Sequence, residues 1–457
     1  MAKKKGPIVS PFVPVEEQPY KIPDNWCWII LGNAVNIKRG ASPRPIKNYI
    51  TDELSGINWI KIGDTDTGKY VTSTKEKITQ QGVDKSVFVE KGTLLLSNSM
   101  SFGRPYILNV DGCIHDGWLA ITPSDCFDKE FLYYALLASN WYFEQVAVGT
   151  AVRNLNSERV AKTPVSLPPL AEQHRIVDRI ESLFAKLDEA KEKAQSVVDG
   201  FELRKSAILH KAFTGELTER WRKEHGMGLD SWETVELSHR FDIVGGIQKK
   251  PSRLPKDNPI PYLTVANVFR DRIDLSEIRY FEVFGGELDK LKLQEKDILV
   301  VEGNGSGNEI GRCAMWRCEL PICIHQNHII RLRTTDNDTI PEYVLYFLNS
   351  LAGKSIIKER AKTTAGLFNL STGKIRTIPV PFATVSEQVE IVRILDSLLD
   401  KEQQAKEAAE AVLDQIATMK KAILARAFRG ELGTNDPAEE WAGELVKGCV
   451  PKAREIL

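Results

Sequence analysis

Two long stretches of the chain carry apolar residues at alternating steps of four and three. The positions between them hold charged and amide residues, as expected of helices with one packed face and one hydrated face. Prolines precede both stretches, and Gly215 and Gly430 follow them, which fits helix start and stop signals. The predicted contact face includes Ile176, Ile180, Leu183 and Leu187 in the first stretch, and Ile391, Leu395, Leu398 and Ile416 in the second.

The second contact face is predicted to continue through Ala405, Ala409, Val412, Ile416, Met419 and Ile423, with Glu402 as its one break. Two amphipathic helices packed separately on globular cores are the alternative, but the pattern persists too long for typical helices. We therefore expect an antiparallel coiled coil. At about 1.5 Å per residue, a helix over Glu172–Phe213 is roughly 60 Å long.

The two helical stretches are copies of one another. Glu172-Gln173 returns as Glu387-Gln388, and the segment ending at Leu217 returns as one ending at Leu432, so the offset stays at 215 residues. A repeat this long and in register indicates a duplicated structural unit with pseudo-two-fold symmetry.

The blocks that precede the helices are weaker repeats, rich in short β-branched runs broken by Gly, Asn, Asp and Pro. Cys113-Ile114-His115 returns as Cys323-Ile324-His325, and one short helix is predicted in each block, near Phe131–Ser139 and Tyr343–Ser350. The expected fold is α/β (α+β), with two similar globular domains separated by the two long helices. The predicted boundaries are an N-terminal strap at 1–22, domains at 23–169 and 229–382, helical regions at 170–228 and 383–432, and a tail at 433–457.

Both ends of the chain fall outside the repeat. We expect the Pro-rich start to be a strap or partly disordered. In the tail, Asp436-Pro437 predicts a short helix, with Asp as its cap and Pro at its first position.

Composition narrows the class of protein. The 457 residues are 42% hydrophobic and 27% charged with a net charge of −1, which is ordinary for a globular protein and argues against a general polyanion binder. The seven scattered cysteines indicate a reducing, cytoplasmic compartment. We expect no membrane span and no secretory signal.

Catalytic and metal-binding motifs are not found. The glycine-rich stretch at Gly303–Gly311 lacks the spacing of a dinucleotide loop, and Gly366 to Gly373 lacks that of a P-loop. Asn258-Pro259-Ile260-Pro261-Tyr262 approximates an adenine methyltransferase motif, but no partner glycine motif accompanies it. The cluster from Cys313 to His328 has no zinc-type spacing, so we interpret its members as core or strand residues.

Three pairs of loops suit nucleic acid, because Lys and Arg neutralise phosphates and small polar groups contact phosphates and base edges. Solvated turns are the alternative for any single loop, and recurrence in both halves favours DNA. The basic loops offer Lys38, Arg39, Ser42, Arg44 and Lys47, and Gln248, Lys249, Lys250 and Arg253. The polar loops offer Ser97, Asn98, Ser99, Ser101 and Arg104, and Asn304, Ser306, Asn308 and Arg312. The loops that precede the helices offer Thr150, Arg153, Asn154 and Asn156, and Thr363 and Asn369.

Several segments resemble the specificity subunits of type I restriction–modification enzymes. Leu170-Ala171-Glu172-Gln173 with the helix ending at Ala212–Thr218 resembles their central conserved region, and Ala427–Leu432 resembles the distal one. Ile22–Trp26 and Leu229–Glu233 look like the starts of the two target recognition domains, and Asn435–Glu440 looks like the family's C-terminus. Gly149–Asn156 matches a segment that lies against DNA in the family, whereas Gly366–Leu370 lacks its Gly-Thr pair.

The resemblance implies a non-catalytic subunit of a restriction system that acts in host defence. Each recognition domain would read one half of a bipartite, asymmetric site on double-stranded DNA, while the helices set the spacer and bind two modification subunits. Adenine methylation with S-adenosylmethionine, and ATP- and Mg-dependent cleavage by restriction subunits, would belong to the partners, so this chain would bind no cofactor or metal. A coiled-coil scaffold without DNA contact, or a fused methyltransferase or nuclease, are the alternatives.

Overall fold

The computed structural model describes residues 10–66, 68–99, 102–147, 155–304, 309–364 and 367–455. Two compact units are found: the first comprises Met1–Lys193 and Val412–Leu457, and the second comprises Ala194–Ala411. The boundaries between them therefore fall inside the two long helices.

The first unit contains twelve short strands within its described residues. They are β1 (Cys27–Ile30), β2 (Val35–Arg39), β3 (Ile50–Thr51), β4 (Ile57–Ile60), β5 (Tyr70–Val71), β6 (Glu76–Ile78), β7 (Val87–Val89), β8 (Leu94–Ser97), β9 (Pro105–Leu108), β10 (Gly112–Ile114), β11 (Trp118–Pro123) and β12 (Pro164–Leu167). The helices up to the first long one are α1 (Gln80–Val83), α2 (Lys129–Ala138), α3 (Asn140–Val146), α4 (Ser157–Ala161) and α5 (Leu170–Asp199).

The second unit repeats this order in the part that the structure describes. Its strands are β13 (Glu233–Glu236), β14 (Phe241–Gly245), β15 (Pro259–Leu263), β16 (Arg279–Glu282), β17 (Ile298–Val301), β18 (Gly303–Asn304), β19 (Cys313–Met315), β20 (Ile324–His325), β21 (Ile329–Thr334), β22 (Lys362–Thr364), β23 (Leu367–Asn369) and β24 (Pro379–Phe382). The remaining helices of the chain are α6 (Phe201–Phe213), α7 (Glu219–Glu224), α8 (Glu287–Leu291), α9 (Pro341–Asn349), α10 (Leu351–Arg360), α11 (Thr372–Arg376), α12 (Val385–Ala427) and α13 (Gly443–Glu455).

Sheet topology shows the duplication directly. The order β2-β11-β8-β9 in the first unit returns as β14-β21-β17-β19 in the second, and the pair β1-β12 returns as β13-β24. The parallel pairing of β4 with β10 returns as that of β15 with β20. The predicted α/β fold class, with two similar domains and long helices, is confirmed.

Each strand set packs against helices through a large apolar core. In the first unit, Phe131, Ile176 and Ile180 share one core with Leu424 and Phe428. In the second, Tyr343, Ile391 and Leu395 share a core with Leu209. The predicted short helices are observed as α2 and α9, but each is followed by a further helix, α3 or α10, that the strand-rich pattern did not predict.

The long helices run antiparallel where they meet inside each unit. In the first unit, Asp188 accepts from Lys420 at 2.5 Å, and farther along Arg175 donates to the Thr434 carbonyl at 3.0 Å. In the second unit, the Lys406 ammonium lies 4.9 Å from the Phe201 ring centroid. Glu402 there accepts from Arg204 at 2.6 Å, so it is part of the packed face and does not interrupt it.

The predicted contact face of α12 is wrong at three positions beyond Glu402, whereas the predicted Ala409 and Ile416 are buried. Val412 and Met419 are 39% and 49% exposed, and Ala405 is exposed as well. Lys406, Leu413 and Lys420 join the predicted Ala409 and Ile416 in the packed face, and Lys420 lies over the Phe184 ring. Two consecutive steps of four, at Glu402 and Lys406, bring the average close to the 3.6 residues of an undistorted helix. Among the other predicted contact residues, Leu183, Leu187 and Leu398 are half-buried and Ile416 is buried.

The predicted single helix from Glu172 to Phe213 is interrupted at Gly200, between α5 and α6. A Cβ atom on Gly200 would lie 2.4 Å from Nη1 of Arg204, which lies against this bend. The Arg204 guanidinium donates to the Val197 carbonyl at 2.8 Å, so a polar side chain satisfies a carbonyl at the interruption.

The segments outside the repeat pack on the first unit. Val13 donates its amide to the Trp28 carbonyl at 3.0 Å, and the Trp28 indole donates to the Tyr20 carbonyl at 3.2 Å, so residues 10–22 form an ordered strap. The predicted helix at Asp436-Pro437 is wrong, because that stretch is a turn and α13 begins only at Gly443. A bidentate pair between Glu439 and Arg175 holds the turn in place.

Candidate nucleic-acid interface

The basic loop of each unit leaves its strand at a glycine that lies against a histidine carbonyl. A Cβ atom on Gly40 would lie 2.1 Å from the His115 oxygen, and one on Gly246 would lie 2.1 Å from the His325 oxygen. Neither approach leaves room for a side chain. The backbone of the repeated Cys-Ile-His segment therefore lies directly against the start of both basic loops.

Asp116 gathers the first basic loop around it. Its carboxylate accepts from the Ser42 hydroxyl at 2.5 Å and lies 3.5 Å from the Arg44 guanidinium, while its carbonyl accepts from Arg39 at 3.2 Å. The Ser42 hydrogen bond, with Arg44 nearby, holds the pKa of Asp116 below its usual value. Four candidate residues remain exposed around this anchor: Lys38, Arg39, Arg44 and Lys47.

The polar loop of the first unit joins the same turn. Asn98 donates its amide to the Gly117 carbonyl and its side chain to the Asp116 carbonyl, both at 2.9 Å. The Asn98 carbonyl accepts from the Leu155 amide at 2.9 Å, which fixes the loop that precedes α5. The basic loop and the polar loop therefore meet at the turn that contains Asp116, and Leu155, in the described part of the third loop, is bonded to Asn98 beside it.

The second unit builds the same convergence with different side chains. Ile247 accepts from the Asn327 amide, and the Glu302 amide donates to the His328 carbonyl, both at 2.9 Å. The Glu302 carbonyl accepts from Leu370 at 2.7 Å, which corresponds to the bond between Asn98 and Leu155. Strand β18 also pairs with β23, so the polar loop adjoins the hairpin that precedes α12.

Several candidates are engaged in hydrogen bonds within the protein. Ser97 and Asn98 are buried, because they close their own loop, and Ser99 is half-buried. Asn156 caps α4 by accepting from the Arg159 amide at 2.9 Å. These side chains position loops.

Three arginines of the candidate set also contact other parts of the protein. Arg253 forms a bidentate pair with Glu287 at 2.6 Å for both bonds, which lowers the pKa of that carboxyl to about 2. Arg312 is 13% exposed and donates to the Val265 carbonyl at 2.6 Å. Arg104 is half-buried, with its guanidinium 5.2 Å from the Tyr106 ring centroid. Arg253 and Arg312 brace their loops, since ion pairs and backbone bonds occupy them.

Some candidates lie outside the described residues: Ser101, Thr150, Arg153, Asn154, Ser306 and Asn308. Asn304 and Thr363 are placed by their backbones in β18 and β22. In the second unit, the exposed candidates are Gln248, Lys249, Lys250 and Asn369. Sequence reasoning missed the roles of Asp116 and His328 in these turns, although the repeated Cys-Ile-His segment shortly before each of them marked the turn.

A matching polar clamp closes each unit beside these loops. Glu172 is fully buried and accepts from the Trp26 indole at 2.8 Å and from the Thr434 hydroxyl at 3.2 Å. Its counterpart Glu387 accepts from the Trp232 indole at 2.8 Å and from the Thr218 hydroxyl at 2.7 Å. Each clamp therefore ties the start of a globular domain to the helix that follows it.

Other kinds of site were sought in the described ranges. No three His, Cys, Asp or Glu side chains there are grouped as a metal ion would require. Within the same ranges, every helix is too short or too polar to cross a membrane.

Comparison with known proteins identifies the family. The profile of the type I restriction modification DNA specificity domain matches residues 23–197 and 230–411. The chain is 27% identical to the type I restriction enzyme EcoKI specificity subunit of Escherichia coli K12, over 94% of this chain and 93% of that protein. It is 23% identical to the StySPI specificity subunit of Salmonella potsdam, over 94% and 93% of the two chains.

Solved structures share the fold. The HsdS subunit from Thermoanaerobacter tengcongensis matches with a TM-score of 0.59 at 20% identity, over 91% of this chain and all of that one. A chain from a study of complex assembly in the type I R-M system matches with a TM-score of 0.69 at 20% identity, over 90% of this chain and all of that one. The two matched specificity domains agree with the observed duplication and with a non-catalytic subunit. The chain belongs to the family of type I restriction–modification DNA specificity subunits.

Proposed function

We propose that each unit reads one half of a bipartite, asymmetric site on double-stranded DNA. The observation that carries this proposal is that the basic and polar loops meet at one turn in each unit, with exposed cations beside it. Lys38, Arg39, Arg44 and Lys47 line the first surface, and Lys249 and Lys250 line the second. Such side chains neutralise phosphates, while neighbouring polar groups contact base edges.

The long helices are proposed to set the spacer between the half-sites and to bind two modification subunits. A helix lengthens by about 1.5 Å per residue, so its length acts as a ruler. The partners would supply adenine methylation with S-adenosylmethionine, and restriction subunits would add ATP- and Mg-dependent cleavage in the cytoplasm. This chain would then bind no cofactor of its own.

The test is to co-express the chain with a modification subunit and map methylated adenines across the host genome. We expect one bipartite motif with an unspecified spacer. Inserting four residues near Thr214-Gly215, about one helical turn, should lengthen the spacer and leave both half-sites unchanged. A matched insertion at Gly226, in the turn after α7, should change neither spacer nor half-sites.

Altered half-site sequences after the Thr214-Gly215 insertion would contradict the ruler. A continuous, undivided motif from the wild-type chain would contradict reading by two separate units. A scaffold without DNA contact predicts that the methylated sequence is set by the modification subunit, regardless of which specificity chain accompanies it.

A further inference from the structure

A cationic recess lies in the second unit, between α6, the turn after Asn267 and the start of α10. Its volume is about 190 Å³. On the same measure a water molecule needs only about 10–15 Å³, so several waters or one oxyanion fit inside. Six of its lining residues decide its chemistry: Glu202, Lys205, Arg270, Asp271, Asn349 and Lys354.

The carboxylate of Asp271 is already engaged on both oxygens. Its Oδ2 accepts from the Lys205 ammonium at 2.6 Å, and its Oδ1 accepts from the Asn349 side-chain amide. The Asn349 side-chain oxygen also accepts from Arg270 at 3.3 Å, which holds that guanidinium at the lining of the recess. Asp271 and Lys205 therefore neutralise one another, and Glu202, on the exposed face of α6, is the other carboxylate of the lining.

Lys354 is the unusual member of the group. Its side chain is half-buried, and its ammonium forms no hydrogen bond or ion pair with any residue that the structure describes. Burial and the nearby cations Arg270 and Lys205 lower its pKa. The carboxylates of Glu202 and Asp271 oppose this shift, yet a half-buried cation beside two others still costs free energy, which a bound anion reduces.

We propose that this recess binds a phosphate group between Lys354 and Arg270. A tetrahedral oxyanion offers several acceptors at once, so it can accept from the Lys354 ammonium and from an N–H group of Arg270 together, whereas a chloride ion offers a single centre. The phosphate comes either from the DNA backbone or from free inorganic phosphate. The proposed phosphate site does not depend on the proposed half-site reading, because all of its lining residues belong to this chain and inorganic phosphate alone can be used to test it.

The first measurement is thermal unfolding of the full chain in phosphate-free buffer and with inorganic phosphate at constant ionic strength. Phosphate should raise the unfolding temperature of the wild type and of Lys354→Arg, and should leave Lys354→Met unaffected. The matched control is Lys358→Met, one turn farther along α10 and exposed, which should respond like the wild type. Calorimetric titration should show the Kd for phosphate raised about tenfold or more in Lys354→Met.

The phosphate-free condition gives an independent check. Without phosphate, Lys354→Met should unfold at a higher temperature than the wild type, because it removes a half-buried cation that lies near Arg270 and Lys205. A lower unfolding temperature there, or an equal phosphate response in both proteins, would overturn the proposal.

The source of the phosphate is decided with a random-sequence duplex. If a backbone phosphate occupies the recess, Lys354→Met should reduce the slope of log K against log salt concentration by about 0.9, while Lys358→Met leaves it unchanged. If the slope is unchanged and inorganic phosphate binding is lost, the occupant is free phosphate. A variant that alters neither measurement would refute the site.

Discussion

At the scale of single residues, the duplicated histidines show how one position serves two copies differently. The Nε2 atom of His115 accepts from the Ile62 amide at 3.2 Å. His325 is fully buried and donates from Nδ1 to the Ile329 carbonyl at 3.0 Å, while its Nε2 has no hydrogen-bond partner in the described part of the chain. Burial, together with Arg331 and Arg333, lowers the pKa of His325 to about 4.

This burial predicts acid sensitivity in the second unit. The unfolded pKa of histidine is about 6.5, so the unfolded chain takes up the proton first as the pH falls. The stability that neutral His325 contributes should be complete above about pH 6.5 and lost on the way to pH 4, a change on the order of 3 kcal/mol.

The measurement is urea unfolding of the wild type and His325→Asn between pH 7 and pH 4. The wild type should lose its advantage over the variant as the pH falls. His210→Asn, on the exposed face of α6, is the control and should follow the wild type. A constant difference between wild type and His325→Asn across this range would show that the ring is not held neutral.

At the scale of elements, α7 closes the second unit through a buried ion pair. The Arg222 guanidinium is 5% exposed and the Glu387 carboxylate is 0% exposed, with 2.5 Å between them. The Thr218 hydroxyl and the Trp232 indole also donate hydrogen bonds to that carboxylate. A clamp so fully paired tolerates no loss of one partner.

We therefore expect Arg222→Met to lower the free energy of unfolding by roughly 3–5 kcal/mol, because Glu387 would remain buried and unpaired. Arg220→Met is the matched control on the same helix. Its side chain is 93% exposed and pairs with Glu224 on the same helix, so its loss should leave the free energy of unfolding nearly unchanged. Equal losses measured by denaturant titration would show that the buried pair does not hold the unit together.

The elements also show what the sequence could predict. The long apolar periodicity was sufficient to predict the helices, because a helix that packs on one face carries apolar residues at regular spacing. The constant offset of 215 residues was sufficient to predict the duplication. The shift of the α12 contact face was not predictable, because two lysines belong to that face. The ammonium groups of Lys406 and Lys420 lie over the rings of Phe201 in α6 and Phe184 in α5. The exposure of candidate arginines depended on distant partners, such as Glu287 for Arg253, which one sequence does not reveal.

At the scale of the whole molecule, the exposed cations of the two units are distinct sets with distinct anchors. The first set surrounds Asp116, whereas Gln326 occupies the corresponding place in the second unit. Each set is therefore expected to act on its own part of a bound duplex.

Lys249→Ala with Lys250→Ala should weaken DNA binding and reduce the salt slope by up to about 1.8, that is, about 0.9 per phosphate contact. Lys38→Ala with Arg39→Ala should do the same from the first unit. The measurement is binding to duplexes at several salt concentrations, with Lys401→Ala and Lys421→Ala, both exposed on α12, as controls.

The same variants test independence. Against duplexes mutated in one half-site at a time, each double variant should retain full discrimination at the half read by the other unit. If either variant reduced discrimination at both halves equally, the lysines would support a shared structure and the two units would not read separately.

The polar clamps have a consequence for synthesis on the ribosome. The second unit is one continuous stretch, Ala194–Ala411, and its clamp is complete once Glu387 has emerged. The first unit needs Thr434 for its Glu172 clamp, and its core includes Phe428 and Val446. The first unit therefore cannot complete its folding until nearly the whole chain has been translated. A nascent chain released early would carry a finished second unit and an unfinished first one, which leaves apolar surface exposed to chaperones and proteases. Because the first unit folds last, a truncated chain would expose apolar surface and be degraded, and would not accumulate together with full-length chains.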